Sequence, residues 1–537
     1  MTIKGKHGLL GIVLLASLGR TQTTVEVWQQ TELTFHSSKT YSSPLLEVDL
    51  MGLFISDSGD TLRRPAFWDG EGQWKIRFAP TRCGIWQYTL AGREVGDFTG
   101  PAAGTLQAVP YCGSLETGRN GFLKISSDHR RFTYDNGRPF FYLADTHWFL
   151  PLEKWEECNA PDCTSQFKFM VDERARQGFT VYQVQTNGKK MVSDSVTSVD
   201  LEAFRDLDRK FDYLASRGFV INTSIGSAHS FALVLGIHGA ERLAKYWVAR
   251  YGAYPVLWMT AQEVDLDHNR YIEIWKAAAR TIAAFDDYHH PHSAHLWDNS
   301  NPARFDREEW HTFHMIQGGH IIWGGGTQVK AFYEHYFEHQ PIKPMLESEA
   351  NYEGLGKERQ CTTTDIRNAA YKSILCGSPG FGYGVQGIWQ DCYTPAECGC
   401  CMEWGTQSWL DALCAPGGEQ MRHLREFFAS LAWERLVPRF DDPAWIEIAG
   451  TSAREREKAV LATVTNQIYL LYLYSDQELP VMLKGLDPGR TYQALWFDPR
   501  QGKYLKAAAA LLGGSSNWRV PAKPTPDDYL LVLSTLP

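Results

Sequence analysis

Residues 343–354, KPMLESEANYEG, carry the strongest structural signal in this chain. They predict a short strand that ends in a cluster of carboxylates, among them Glu349. Upstream, residues 254–263, YPVLWMTAQE, form a second apolar run, and this run ends in Glu263. Cleavage of a glycosidic bond requires two such carboxylates, because one donates a proton to the leaving oxygen and the other attacks or stabilises the anomeric carbon.

These two strands belong to a longer alternation of strands and helices between residues 121 and 438. Apolar runs of strand length occur at 139–144, 179–185, 219–225, 254–263, 292–296, 312–317, 344–349 and 380–390. Helical patterns occur at 165–177, 201–216, 240–251 and 270–285. About eight β/α units in this length predict an α/β fold, a (β/α)8 TIM barrel. A doubly wound open sheet is the alternative, although no Gly-rich phosphate loop follows the first strand.

The two flanks of this region show a β pattern instead. Residues 24–110 contain short alternating strands, such as 74–78 and 86–90, separated by Gly-containing turns. This pattern predicts an N-terminal β-sandwich of the immunoglobulin-like type. Residues 440–537 again show short apolar runs between turns and predict a C-terminal β-sandwich. The expected architecture is therefore a TIM barrel flanked by two β-sandwich domains.

The N-terminal segment indicates where the protein acts, and the overall charge indicates which class of partner is excluded. Residues 1–19 have the pattern of a signal peptide, because Lys4 and Lys6 precede an apolar run that is too short to span a bilayer. We expect a secreted, periplasmic or cell-surface protein without a stable membrane span in the mature chain; a retained N-terminal anchor is the alternative. The net charge of −9 comes from interspersed charges, which argues against a nucleic-acid partner.

The chain has 11 cysteines, and several are clustered. Cys158 and Cys163 are close in sequence, and Cys392, Cys398, Cys400 and Cys401 lie in one loop. In an exported protein such clusters favour disulfides, whereas a zinc site at the second cluster is the alternative. We expect the remaining cysteines to be buried free thiols: Cys83, Cys112, Cys361, Cys376 and Cys414.

In a barrel the C-terminal ends of the strands meet at one mouth, where catalytic groups lie. The side chains at the predicted strand ends are Asp145, Gln185, Glu263, Gln317 with His320, Glu349 and Trp389. Strands four and seven face each other across the mouth, so we assign Glu263 as acid/base and Glu349 as nucleophile. The competing carboxylates are Glu347 and Glu353 for the nucleophile, and Asp265 and Asp267 for the acid/base.

Five motifs in the same order resemble those of the apiosidase-like glycoside hydrolases, a barrel family of the retaining clan A type. They are ADTHW at 144–148, LWMTAQE at 257–263, MIQGGH at 315–320, KPMLESEANYE at 343–353 and GFGYGVQGIWQ at 380–390. Residues 24–108 resemble the N-terminal sandwich that often precedes such barrels, a domain of unknown function. Residues 440–537 resemble a C-terminal sandwich that is named for collagen binding.

The resemblance implies a retaining hydrolase of O-glycosyl bonds in which Glu349 occupies the position of the catalytic Glu. The candidates for substrate binding are Asp145, Trp148, Gln185, Gln317, His320, Tyr352 and Trp389. The chain departs from the family pattern around both carboxylates. Glu263 stands where many relatives have Asp, and Ser348 and Ala350 replace the Gly and Pro beside the nucleophile. Because of these departures, the resemblance does not identify which sugar the substrate contains.

Together these features predict an exported glycoside hydrolase that acts on a polysaccharide or oligosaccharide. Two carboxylates suffice for this chemistry, so we expect no metal or organic cofactor. The alternative is a non-catalytic carbohydrate-binding or adhesion protein with a degenerate barrel. Turnover that depends on both carboxylates distinguishes the first function from the second.

Overall fold

A computed structural model describes most of the chain. The described residues are 23–186, 191–227, 231–266, 270–297, 301–318, 329–356, 359–394, 404–449, 452–478, 480–506 and 514–535. Several residues that the sequence analysis singles out lie outside these ranges: the predicted signal peptide 1–19, Asp267, His320, Cys398, Cys400 and Cys401.

Eight parallel strands form the central barrel. They are β1 (Tyr142–His147), β2 (Val181–Gln185), β3 (Val220–Ser224), β4 (Val256–Met259), β5 (His292–Ser293), β6 (His314–Ile316), β7 (Met345–Glu347) and β8 (Gly380–Val385). The hydrogen-bonded order is β5-β4-β3-β2-β1-β8-β7-β6. A parallel bridge between His295 and Met315 links the two ends of this order. The predicted TIM barrel is confirmed, and the open doubly wound sheet is wrong.

Helices follow the strands around the outside of the barrel. They are α1 (Gln166–Arg176), α2 (Leu201–Ser216), α3 (Phe231–Tyr251), α4 (Ile272–Phe285), α5 (Val329–Phe337), α6 (Thr363–Leu375), α7 (Trp409–Leu413) and α8 (Pro416–Ala429). Short 3₁₀ segments lie at Leu150–Leu152, Asp194–Val196, Pro302–Phe305 and Trp433–Arg435. Side chains cap several of these helices; Ser165 accepts from the backbone of Lys168 at the start of α1.

The barrel interior contains a polar layer as well as apolar side chains. The Tyr142 hydroxyl donates to Gln183 Oε1 at 2.8 Å and accepts from Asn222 Nδ2 at 3.0 Å. All three side chains are fully buried, and they come from three adjacent strands. These hydrogen bonds satisfy buried polar groups and fix the strands relative to one another.

A small sheet closes the N-terminal end of the barrel. After a short helix at Glu116–Asn120 it consists of Leu123–Ile125, Phe132–Tyr134 and Pro139–Phe140. The Phe132 ring packs edge-on against Phe313, which immediately precedes β6, with 5.1 Å between the ring centroids. The Phe132 ring also lies 6.0 Å from the ring of Tyr142, the first residue of β1, so this sheet packs against the end of the barrel where the strands begin.

The N-terminal sandwich packs two sheets against each other. One sheet contains Thr23–Glu26, Ala103–Val109, Gly84–Ala91, Met51–Ser56 and Thr61–Pro65, and the other contains Phe67–Trp68, Gln73–Phe78, Thr31–Ser37 and Phe98–Thr99. Short helical segments occur at Pro44–Glu47 and Val95–Asp97. A largely buried ion cluster joins this sandwich to the barrel, where Asp208 of α2 accepts hydrogen bonds from Arg77 of the sandwich and Arg250 of α3.

The C-terminal sandwich packs against the other side of the barrel. Its larger sheet contains Val437–Pro438, Ala459–Val464, Ile468–Leu473, Tyr529–Thr535, Tyr492–Asp498 and Lys503–Lys506. Its smaller sheet contains Ile446–Ile448, Val481–Leu483 and Trp518–Arg519, and a short helix lies at Ala453–Arg456. The buried carboxylate of Asp528 accepts two hydrogen bonds from Arg367 of α6 and one from Tyr472.

The cysteines divide into bonded and free groups. Cys158 and Cys163 form a disulfide, and Cys392 is also disulfide-bonded. Of the five cysteines expected to be buried thiols, Cys361 and Cys376 are buried, whereas Cys83, Cys112 and Cys414 are exposed, so the expectation is wrong for these three. Within the described part of the chain, no helix has the length and apolar character needed to cross a bilayer.

Candidate active site

Glu263 lies just beyond β4, at the mouth of the barrel. Its backbone has φ of +50°, a left-handed conformation that is uncommon for residues other than glycine. Its side chain is largely buried, and burial together with the nearby charges of Glu349 and Asp265 raises the pKa of its carboxyl to about 8. A carboxyl with this pKa keeps its proton at neutral pH and can donate it.

Glu349 lies just beyond β7, and only 3% of its surface is exposed. Its backbone N–H donates to the Ile316 carbonyl at 3.4 Å, which ties the end of β7 to β6. The charge of Glu349 contributes to the raised pKa of Glu263, so the two carboxyls lie close enough to interact electrostatically. The structure thus brings together the two carboxylates that the sequence analysis paired.

Three further side chains surround the Glu349 carboxylate. The Tyr352 hydroxyl hydrogen-bonds to Glu349 and accepts a hydrogen bond from Trp148 Nε1 at 2.8 Å. His295 Nε2 lies 3.2 Å from Glu349 Oε2, and the His295 ring packs edge-on against Trp148. His295 is not among the site residues predicted from the sequence. It lies two residues beyond β5 and inside the predicted run 292–296, so a polar side chain near the end of the fifth predicted strand was the signal for it.

The two competing carboxylates near β7, Glu347 and Glu353, accept hydrogen bonds from other parts of the protein. Glu353 accepts hydrogen bonds from Thr363 Oγ1 at 2.5 Å, Tyr383 Oη at 2.6 Å and the Gly417 backbone at 3.0 Å. Its carboxylate therefore links β8 to the starts of α6 and α8. Glu347 is fully buried and accepts from the Gly318 backbone N–H at 2.8 Å.

Asp265, the competitor of Glu263, also has structural partners. Its Oδ1 accepts from the Trp297 backbone at 2.7 Å, and its Oδ2 lies 3.6 Å from Arg304. These contacts tie the loop after β4 to the loop after β5. Asp267, the other competitor, lies outside the described residues.

Asp145, a substrate-binding candidate, lies inside a buried charge cluster. Its Oδ2 accepts from Arg174 of α1 and lies 3.1 Å from His147 Nε2, and His147 Nδ1 lies 2.6 Å from Glu153. Burial lowers the pKa of His147, but Glu153 and Asp145 oppose burial and raise it to about 9 overall. All these side chains are almost fully buried, so the cluster supports the wall of the mouth.

The other substrate-binding candidates lie around the two carboxylates. Trp389, just after β8, has its ring 5.9 Å from Tyr352 and 5.4 Å from Trp404. Its indole N–H donates to Gln386, and its carbonyl accepts from the Trp148 backbone. Two polar candidates lie at the ends of other barrel strands and are buried: Gln185 ends β2, and Gln317 follows β6. His320 lies outside the described residues.

Comparison with known families agrees with the barrel fold. The family described as "Apiosidase-like, catalytic domain" matches residues 126–435, which is more than half of the chain. The chain belongs to the apiosidase-like family. A domain of unknown function, DUF5060, matches residues 24–93 of the N-terminal sandwich. The family described as "Putative collagen-binding domain of a collagenase" matches residues 443–534.

Solved structures share the fold of this apiosidase-like protein. A structure described as a glycoside hydrolase is 22% identical and has a TM-score of 0.63, with 78% of this chain and 98% of its own covered. A glycoside hydrolase family 5 protein from Bacteroides vulgatus is 22% identical with a TM-score of 0.65 and coverages of 78% and 95%. A "putative glycoside hydrolase" from the same organism is 17% identical with a TM-score of 0.70 and coverages of 96% and 100%. No curated protein sequence matches the chain.

The arrangement in the apiosidase-like barrel suits proton transfer and nucleophilic attack. Glu263 can hold and donate a proton, and Glu349 is oriented by a hydrogen bond from a phenol. Buried aromatic rings lie beside Glu349: Tyr352 packs against Trp389, and Trp148 packs against His295. Among the residues that the structure describes, no group of three or more His, Cys, Asp or Glu side chains could hold a metal ion.

Proposed function

We propose that this protein is a retaining glycoside hydrolase with Glu349 as nucleophile and Glu263 as general acid/base. Similarity to glycoside hydrolases supports the general activity. One observation carries the assignment of the two residues: buried carboxyls lie at the ends of β4 and β7, and one of them has its pKa raised to about 8 partly by the other. Two carboxyls that differ in protonation state are what a retaining glycosidase uses.

The proposed reaction has two steps, and its atoms and charges balance. In the first, Glu349 attacks the anomeric carbon while Glu263 donates its proton to the leaving oxygen, which gives a glycosyl ester on Glu349. In the second, ionised Glu263 removes a proton from water, and the resulting hydroxide displaces Glu349 from the anomeric carbon. Glu263 regains its proton, and the product has the anomeric configuration of the substrate.

The surroundings of each carboxyl support its role. The Tyr352 hydroxyl donates to Glu349 and so favours the ionised form that attacks carbon. Burial and the nearby charges of Glu349 and Asp265 raise the pKa of Glu263 and so favour its neutral form. Glu353 and Asp265 are less suited to catalysis, because their oxygens bind groups of the protein.

We propose a polysaccharide or oligosaccharide as the substrate. Trp148, Tyr352 and Trp389 supply aromatic surface next to Glu349. Sugar rings stack on such faces through their C–H groups, while buried amides such as Gln185 and Gln317 suit recognition of hydroxyls. We also propose that the protein is exported, on the basis of the N-terminal apolar run and the Cys158–Cys163 disulfide.

The experiment is a reducing-sugar screen of the purified protein on plant, algal and microbial glycans. Wild type should release reducing sugar from at least one glycan, and Glu349→Gln and Glu263→Gln should not. Asp265→Asn is the matched control, since it neutralises the competing carboxylate and should keep turnover within about tenfold of wild type. Full turnover by either Glu variant would refute the assignment. Binding to a glycan without release by wild type would instead support a carbohydrate-binding protein.

A further inference from the structure

A cavity lies between the barrel and the C-terminal sandwich, and its lining includes neither Glu263 nor Glu349. Its volume is ≈ 400 Å³, which falls in the range of small-molecule sites, about 300–1,000 Å³. Helix α6 and the end of β7 line one side, and the sandwich lines the other. The lining residues that matter here are Glu347, Asn351, Ala369, Lys372, Glu457 and Tyr474. Domain junctions of this kind are common places for ligand sites.

Glu347 is the most unusual side chain in this cavity. It is fully buried, and only one of its oxygens is used, since Oε1 accepts from the Gly318 backbone while Oε2 has no hydrogen-bond partner among the described residues. A Cβ atom at position 318 would clash with Oε2, so glycine there keeps space beside this oxygen. A buried carboxyl with an unused oxygen is costly unless another group satisfies it.

The charges around the cavity largely compensate one another. Lys372 Nζ lies 3.1 Å from Glu457, and Lys458 Nζ lies 2.7 Å from Asp476. Arg359 and Asp365 also line the cavity and add one charge of each sign. Burial raises the pKa of Glu347 to about 8, so its carboxyl is neutral at pH 7 and can donate a hydrogen bond. A lining with paired charges favours a neutral ligand over an anion or a cation.

We propose that this cavity is a second binding site, for a neutral, hydroxyl-rich ligand of monosaccharide or disaccharide size. Hydroxyls of such a ligand can satisfy Glu347 Oε2, and its C–H face can pack on Tyr474 and Ala369. The ligand would also contact Ala350 and Asn351, which directly follow Glu349. Sugar bound there would therefore touch the segment that carries the proposed nucleophile.

The test measures sugar binding by the full chain carrying Glu263→Gln, in which the proposed turnover is blocked. The probes are D-glucose, D-galactose, D-xylose, L-arabinose and cellobiose, each titrated by calorimetry and by saturation-transfer NMR. Ala369→Phe fills the cavity, and Ala369→Leu fills it with a smaller side chain. Ala283→Phe is the matched control, because it adds the same ring at an exposed position of α4 outside the cavity.

We expect at least one probe to bind and Ala369→Phe to weaken that binding by more than about tenfold, while Ala283→Phe leaves it unchanged. Ala369→Leu should give an intermediate loss, and circular dichroism should show that all variants are folded. Binding that persists in Ala369→Phe but is lost in Trp389→Ala would place the sugar at the mouth and overturn the proposal. Absence of binding by every probe would also overturn it. Neither outcome bears on catalysis, because turnover is not measured.

Discussion

The Tyr352 hydroxyl hydrogen-bonds to the Glu349 carboxylate, and the same oxygen accepts a hydrogen bond from Trp148 Nε1 at 2.8 Å. Trp148 follows β1 and Tyr352 follows β7, so the contact links the two strands that lie on either side of β8. Burial and the charge of Glu349 hold the pKa of Tyr352 well above its ordinary value, so the phenol keeps its proton and acts as a donor.

Replacing this phenol tests its role in positioning the nucleophile. We expect Tyr352→Phe to lower kcat by about 10- to 100-fold, because a hydrogen bond to a charged group contributes about 1.5–3 kcal/mol. The ring packing on Trp389 is kept. Without the donor, the ionised form of Glu349 is less favoured, so the acidic limb of the rate profile should move to higher pH. The measurement is the pH dependence of kcat/KM.

The control for this variant removes a phenol that has no comparable role. Tyr251 is fully buried, and its hydroxyl has no hydrogen-bond partner among the described residues. Tyr251→Phe should leave both kcat and the pH profile unchanged. An unchanged acidic limb in Tyr352→Phe would mean that the phenol serves packing alone.

The raised pKa of Glu263, about 8, predicts the alkaline side of the activity profile. The acid must be protonated to act, so kcat/KM should fall above pH 8 by about tenfold for each pH unit. In Glu263→Gln this limb should disappear. Glycosides with alkyl or sugar leaving groups should lose about 10²- to 10⁴-fold in rate, whereas dinitrophenyl glycosides should still form the intermediate. Equal losses for both classes of leaving group would contradict the role of Glu263 as acid.

The role of Glu349 predicts the stereochemistry of the reaction. Two displacements at the anomeric carbon retain its configuration. Proton NMR of the first product formed should therefore show the anomer of the substrate before mutarotation. In Glu349→Gly, azide can occupy the vacated space and should give a glycosyl azide of opposite configuration. Inversion by the wild-type protein would exclude Glu349 as a nucleophile.

Glu263 also predicts how stability depends on pH. Its folded pKa of about 8 lies above the ordinary value of 4.5, so between these values the folded state holds a proton that the unfolded state has lost. Stability contributed by this proton is complete below pH 4.5 and falls as pH rises, by up to about 1.4 kcal/mol per unit until pH 8. Glu263→Gln removes this dependence.

The measurement is urea unfolding of wild type and Glu263→Gln across pH 5 to 8. The variant should be the more stable protein at pH 7, with an advantage that increases from pH 5 to 8. Glu347, whose pKa is also raised to about 8, remains in both proteins, so their difference isolates Glu263. A constant difference across this range would contradict the raised pKa. An inactive but more stable variant is the expected trade-off at a catalytic residue.

Local sequence patterns were sufficient to predict the barrel. Its strands are buried on both faces, so they appear as continuous apolar runs, and β2 at Val181–Gln185 lies inside the predicted run 179–185. Helix α2, Leu201–Ser216, coincides with its prediction because a strong amphipathic pattern ends at Gly218. Helix α3 begins at Phe231 rather than at residue 240, since Gly236, with φ of +60°, interrupts the local pattern that the prediction used.

The site shows where sequence patterns stop being informative. Asp145 and Glu263 give the same signal, a carboxylate at the end of a barrel strand. Arg174, on the helix after β1, binds Asp145 in the folded chain, whereas burial near Glu349 leaves Glu263 protonated. That difference depends on contacts between residues far apart in sequence. For the same reason, the contact of His295 with Glu349 is visible only in the structure.

The junction between the N-terminal sandwich and the barrel gives a final prediction, about stability. Asp208 accepts two hydrogen bonds from Arg77 and two from Arg250, with distances from 2.7 to 3.1 Å. Asp208→Asn leaves two buried guanidinium groups without their shared anion, which should cost about 3–5 kcal/mol in urea unfolding. These arginines lower the pKa of Asp208, so its contribution is present at neutral pH and lost in acid.

The control is a second ion pair across the same junction. Asp287 of the barrel pairs with Arg63 of the sandwich at 2.6 Å, but the Arg63 side chain is 55% exposed. Asp287→Asn should therefore cost no more than about 1 kcal/mol. The two variants make the same chemical change at one interface and differ in the burial of the partner. Equal losses would contradict the view that burial of charge determines how much each ion pair stabilises this junction.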